Sequence, residues 1–134
     1  MFDLTNTTKH ASLSKRVLSL PFETIANSIL TKKYELSLVI CADKLATKMN
    51  KQYRHKTYSP NVLSFPLTND SGEIFLNLRV AEREAAKYNI KLEARILYLF
   101  IHGCVHLTGL DHGPLMDKLE KKALQKFGIK HPLP

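Results

Sequence analysis

Three of the six histidines in this 134-residue chain, His102, His106 and His112, fall in one short stretch with the spacing H-x3-H-x5-H. Positions four apart lie on one face of a helix, a single turn apart, so His102 and His106 can aim two imidazoles at one point. Gly109 then lets the chain leave the helix and double back, which brings His112 to a third corner. Three neutral imidazoles suit zinc, one ion per chain, with other first-row metals also compatible. Three protein ligands instead of four leave a coordination position for water, the arrangement of catalytic sites, and zinc can lower the pKa of such a water to about 7. Hydrolysis is the expected chemistry. Cys104 stands two residues from each helical histidine and so points to the other side, a poor fourth ligand. Asp111 reads equally as a partner that orients an imidazole and as a turn residue at the helix exit.

Gly103 separates one class of hydrolase from the others. Zinc peptidases with the same histidine spacing carry Glu directly after the first histidine, where the carboxylate is the general base. Here that position has no side chain, and a metallopeptidase would need its base from elsewhere.

These residues need a scaffold, and the chain is the length of one domain. It is 44% hydrophobic and 24% charged, enough to bury a core without disulfides. Its two cysteines, Cys41 and Cys104, sit in apolar runs, as buried free thiols of a reducing cytosol do. The start of the chain shows no basic segment followed by an apolar one, and the longest unbroken apolar stretch runs only from Ile96 to Ile101. Export and membrane spanning are therefore not expected, and a cytoplasmic location is. The 20 Lys and Arg against 12 Asp and Glu leave a formal charge of +8, which favours a polyanionic partner such as nucleic acid.

Periodicity predicts a helix from about Pro21 to Lys33, then a strand in which Tyr34, Leu36, Leu38 and Ile40 alternate with polar residues. From Asp43 to about His55 an amphipathic helix carries Leu45, Met49 and Tyr53 on its core side and Lys44, Lys48 and Lys51 beside them. Val62 to Phe65 reads as a second strand, residues 69–72 as a turn, and Ile74, Leu76 and Leu78 as a third strand. A βαβ unit followed by a hairpin gives a mixed sheet. Three helices follow: one carrying Ala81, Ala85 and Tyr88, one from about Leu92 to Leu107, and one from about Pro114 to Phe127. The middle helix is apolar nearly all round, which predicts a buried, central, histidine-bearing helix. Leu115, Met116, Leu119, Ala123 and Phe127 form the core face of the last.

The segment His102 to His112 reads H-G-x-x-H-L-x-G-x-D-H, which resembles the signature of the YbeY family of bacterial endoribonucleases and rRNA maturation factors. Asn50 to Lys56 resembles the family's N-x-x-Y-R-x-K block, Asn61 to Pro66 its [DN]-V-L-S-F-P block, and Gly72-Glu73-Ile74 its G-[DE]-[IV] turn. The blocks follow the family's order across residues 36–127. Two departures stand out. Pro60 holds the place of a usual Thr or Ser, so a hydroxyl contact is lost unless Ser59 supplies it, and the segment after His112 is shorter than in most relatives.

The resemblance implies one α+β domain over residues 1–134, with a mixed sheet packed by helices and a zinc-hydrolase-like site. It implies zinc on His102, His106 and His112, and cleavage of single-stranded RNA in rRNA maturation and ribosome quality control. Arg54 matches the family's functional arginine, and a guanidinium there can clamp phosphate oxygens and stabilise developing charge. Lys44, Lys48, Lys51, Arg54 and Lys56 would form a phosphate track, with Lys51, Lys56 and Ser64 as candidate substrate contacts. Lys118, Lys121, Lys122 and Lys126 form a second basic stripe. Tyr53 and Tyr58 can stack unpaired bases, although Tyr53 sits on a core stripe. Partners would be precursor rRNA, the ribosome and ribosomal proteins. The rival assignment is a non-catalytic assembly factor in which zinc staples the last two helices and the basic face docks on rRNA.

Overall fold

A computed structural model of the chain describes residues 1–8 and 11–130, with side chains of the second stretch from residue 15 onward. In chain order the elements are β1 (Phe2–Asn6), α1 (Ala11–Leu18), α2 (Phe22–Ile29), β2 (Glu35–Cys41), α3 (Asp43–Arg54), β3 (Val62–Thr68), β4 (Ser71–Asn77), α4 (Leu78–Tyr88), α5 (Leu92–His106) and α6 (Pro114–Lys126). The four strands form one mixed sheet in the order β1-β2-β4-β3, an α+β architecture.

The sheet differs from the expected βαβ-plus-hairpin in which strands are neighbours. β2 pairs in parallel with β1 and β4, while β3 is antiparallel to β4 and takes the outer edge. β4 is buried on both faces, through Ile74 and Leu76 on one and Phe75 on the other, and so belongs inside the sheet. β3 carries Pro66, which lacks a ladder donor and suits an edge. β1 was not predicted: it offers only Phe2 and Leu4 as apolar residues, and its register against Leu36 and Leu38 makes it a strand.

On one face of the sheet, Leu36, Leu38, Ile40, Ile74 and Leu76 pack with Phe22 and Ile25 of α2 and with Ile96, Leu99, Phe100 and Cys104 of α5. Phe22 and Phe100 meet edge to face, ring centroids 4.9 Å apart. On the other face Cys41, Leu63 and Phe75 pack against Ala46, Leu45 and Met49 of α3. Both cysteines are buried free thiols; burial pushes Cys41 up to about 12 and raises Cys104 as well.

Several boundaries shift from the sequence reading. Leu78 opens α4 instead of extending β4, because the Asn77 side chain accepts from the backbone N–H groups of Arg79 and Val80 at 3.0 and 3.2 Å and caps the helix. The first predicted helix ends at Ile29, before Thr31, whose φ is 148°. Tyr53 is not core: it is 57% exposed, on the last turn of α3, with its ring against Phe65 at 5.5 Å. Leu115 is 70% exposed in the first turn of α6, and Met116 fills the core place beside it. Among the described residues no helix is long and apolar enough to cross a membrane.

Candidate metal centre and active site

α5 meets the sheet closely because of Gly103. A Cβ built there would lie 3.1 Å from both Ile74 Cδ1 and Ser64 Oγ, tighter than ordinary packing. Without it, the Ser64 hydroxyl donates to the Gly103 carbonyl at 2.9 Å and ties β3 to α5. Gly103 thus faces the sheet, and the residue following His102 has no room for the carboxylate a peptidase would carry.

His102 and His106 stand on α5 to one side of Gly103, bordering the same cavity as Ser64. His102 and His106 present their Nε2 atoms to each other at 3.0 Å, with ring centroids 4.5 Å apart. The chain then turns through Gly109 (φ 84°), returning His112 to a ring-centroid distance of 4.9 Å from His106. The three rings share the wall of a cavity of about 390 Å³ with Arg54, Tyr58, Asn61, Val62 and Ser64.

Behind the rings stands a carboxylate that sequence reasoning did not identify. Glu120 of α6 hydrogen-bonds His102 Nδ1. A carboxylate there accepts the Nδ1 proton and leaves Nε2 with its lone pair toward the cavity. Tyr98 stacks against the same imidazole, centroids 6.3 Å apart and nearly parallel. Burial, chiefly, and then the nearby His102 and His112 lower the pKa of His106 below its ordinary value, which favours the neutral ring a metal requires.

The donor chemistry fits a zinc site. Two Nε2 atoms face one another at a separation near the edge of a tetrahedron with bonds of about 2.0 Å, a carboxylate orients the first ring, and a third imidazole adjoins the second. Among the described residues no group of three His, Cys, Asp or Glu side chains is already drawn to metal-holding geometry. Closing the third corner therefore takes a movement of the His112 ring, which lies in an exposed turn. Cys104 is wholly buried in the core, away from the pair. Asp111 is exposed and outside the cavity wall; the carboxylate on a histidine is that of Glu120.

Arg54 ends α3 with its side chain on the cavity wall. Ser64 also borders the cavity, its hydroxyl committed to Gly103. Lys51 and Lys56 are exposed and off the wall, as are Lys118, Lys121, Lys122 and Lys126. Ser59 does not turn toward the cavity in place of the missing hydroxyl. It donates instead to Asp43 Oδ1, where the Asn77 amide and the Arg83 guanidinium also converge, at 3.0 and 2.9 Å. Asn61 is steadied from behind by Glu84, which also pairs with the buried Arg95 at 2.9 Å. Arg95 in turn lies over the rings of Tyr88 and Tyr98, 5.0 and 4.7 Å from their centroids. The lone arginine of a largely apolar helix was the available signal for that network; nothing local marked Glu120.

Residues 3–129 match the model of the family described as Endoribonuclease YbeY. Proteins named Endoribonuclease YbeY are similar over most of their length. The one from Ehrlichia canis is 36% identical over 107 residues, 72% of this chain and 70% of that protein. The one from Pseudomonas putida is 36% identical over 113 residues, 75% and 71%. The one from Methylobacillus flagellatus is 34% identical over 119 residues, 83% and 80%. The solution structure of TM1509 from Thermotoga maritima superposes with a TM-score of 0.65 at 24% identity, covering 94% of this chain and 88% of that one, and so shares its fold.

Proposed function

The chain belongs to the endoribonuclease YbeY family and is a hydrolase that cleaves RNA, and from that premise we propose that it cuts single-stranded RNA during rRNA maturation at the cavity between α5 and the end of α3. His102, His106 and His112 would hold one zinc ion. When bound, zinc supplies Lewis-acid polarisation beside the phosphate and brings water toward ionisation at neutral pH.

The chain's own residues do the rest. Glu120 fixes the His102 tautomer, and His106 stays neutral in its partly buried place. Arg54 offers up to two parallel N–H donors to the phosphate oxygens and stabilises the charge that builds on them as the bond to the nucleophile forms. The net charge of +8 draws the polyanion in. The described cavity wall holds no Asp or Glu to serve as general base, and the nucleophile is either water or the RNA 2′-hydroxyl. Product ends separate them: a 2′,3′-cyclic phosphate marks attack by the 2′-hydroxyl.

The observation that carries this proposal is the facing Nε2 pair, backed by Glu120, on the same cavity as Arg54. It is tested by metal analysis together with RNA cleavage for the wild type, His106→Ala and Arg54→Ala. The expected outcome is one zinc per chain and cleavage in the wild type, loss of both in His106→Ala, and in Arg54→Ala retention of zinc with cleavage reduced by about 10²–10³, the scale of one lost charge-stabilising contact. Full rRNA maturation by Arg54→Ala would favour the non-catalytic assembly factor instead.

A further inference from the structure

Among the described residues Tyr58 is the one large aromatic on the cavity wall, and it is 59% exposed. Its ring makes no hydrogen bond, ring contact or cation contact among the described residues, unlike Tyr53, which leans on Phe65. Exposing such a ring is unfavourable, and the loop bearing it is not loosely held. Asn50, wholly buried, donates from its side-chain amide to the Tyr58 carbonyl at 3.0 Å. The Asn50 backbone carbonyl accepts from the N–H groups of His55 and Lys56, the latter at 3.3 Å. Among the described residues the buried Asn50 Oδ1 has no partner, a cost this tie carries. Residues 55–58 are thereby folded back over the end of α3, with the ring and Arg54 on one wall.

Arg54 shares the wall with the ring, Lys51 and Lys56 are exposed on the same stretch of chain, and Val62 is the sole aliphatic residue among the described residues of that wall. This is the setting of a nucleotide and not of an apolar protein contact. Aromatic rings hold unpaired bases by stacking, whatever the base, while neighbouring cations hold the backbone.

Resting on the reading of this cavity as the RNA-cleaving site, we propose that Tyr58 stacks the base of a nucleotide adjoining the phosphate held by Arg54, with Asn50 as its positioning residue, and that this contact gives the cavity its preference for unpaired RNA. In a duplex the bases are already stacked and cannot reach the ring.

The test is steady-state cleavage of a short single-stranded RNA oligonucleotide, its duplex, and a series in which one nucleotide at a time is abasic, by the zinc-loaded wild type, Tyr58→Phe and Tyr58→Ala. Tyr58→Ala should raise KM for the single strand about 5- to 100-fold, the range of one base–aromatic stack, with kcat little changed and the preference over duplex reduced. Tyr58→Phe should behave as wild type. One abasic position should cost the wild type a similar factor and make it insensitive to Tyr58→Ala. An unchanged KM in Tyr58→Ala, a loss confined to kcat, or sensitivity to Tyr58→Ala at every abasic position would overturn the stacking role while leaving the endoribonuclease site intact. A wild type that cleaves none of these RNAs would overturn both.

Discussion

Two of the cavity's three histidines, His102 and His106, stand on α5, whose inner face lies in the main core, with Glu120 of α6 behind His102 and with His112 in the exposed turn that follows. The arginine half stands on the exposed last turn of α3 and on residues 55–61, held by polar ties to Asn50, Asp43 and Asn77. For the proposed zinc, donors that would meet one ion at fixed angles gain from a rigid base, which the buried helix supplies to His102 and His106. Groups that must reach a flexible polyanion need access and charge, which leave them outside the core. The halves should accordingly fail in different ways: substitutions in the first should alter fold or metal affinity, and those in the second should alter catalysis or stability at its margins.

The largest effect should come from Gly103→Glu. The new Cβ meets Ile74 and Ser64 at 3.1 Å, and a carboxylate would be forced against the sheet. Overpacking and a buried charge together should cost about 3 kcal/mol or more, read from urea unfolding, and should not produce a peptidase. Near-native stability would mean that the contact of α5 with the sheet is looser than described.

Next is Glu120→Gln, which keeps the shape behind His102 and removes the charge. Zinc affinity, measured by competition with a chelator, should fall about 10- to 100-fold while the fold persists. Unchanged affinity would detach Glu120 from metal binding.

Asp43 sharpens the other half. Hydrogen bonds from Arg83 first, and then from Ser59 and Asn77, hold its carboxyl well below the usual carboxylate range. A depressed folded-state pKa contributes stability above the unfolded value, about 4, that is lost as pH falls through the folded value. Wild type should therefore exceed Asp43→Asn in stability at pH 7, and the gap should close on acidification below about pH 4. The Arg83 and Asp43 side chains are 60% and 42% exposed, so the gap should stay within about 1 kcal/mol. A gap that does not change with pH would show that the ion pair is not its source.

The smallest effect belongs to His55, which caps α3 in the left-handed region at φ 57°. His55→Gly should raise stability by up to about 1 kcal/mol, relief of the Cβ clash being partly offset by the freer unfolded chain. A loss of stability would assign the His55 side chain a contact of its own.

What the sequence made legible follows the same division. The histidines were readable because a helix imposes their spacing, and Gly103 because a missing side chain is visible in the letters, although only the packing against Ser64 and Ile74 explains it. α3 and β2 were readable from local period. Strand order was not, since burial of β4 on both faces and Pro66 in β3 act only once strands compete for places in the sheet. Tyr53 and Leu115 sit at apolar helical positions, yet period says nothing of where the sheet edge lies or which turn of a helix projects past the core. Glu120 lies among lysines with no local pattern; its partner, His102, is met only through the packing of α6 on α5.

The proposed convergence of three imidazoles on one ion is tested most directly by X-ray absorption at the zinc edge of the metal-loaded protein, with His112→Ala in parallel. The account predicts three imidazole nitrogens at about 2.0–2.1 Å and no sulfur in the wild type, and one imidazole fewer in the variant. A sulfur at about 2.3 Å, or a spectrum that His112→Ala leaves unaltered, would contradict it.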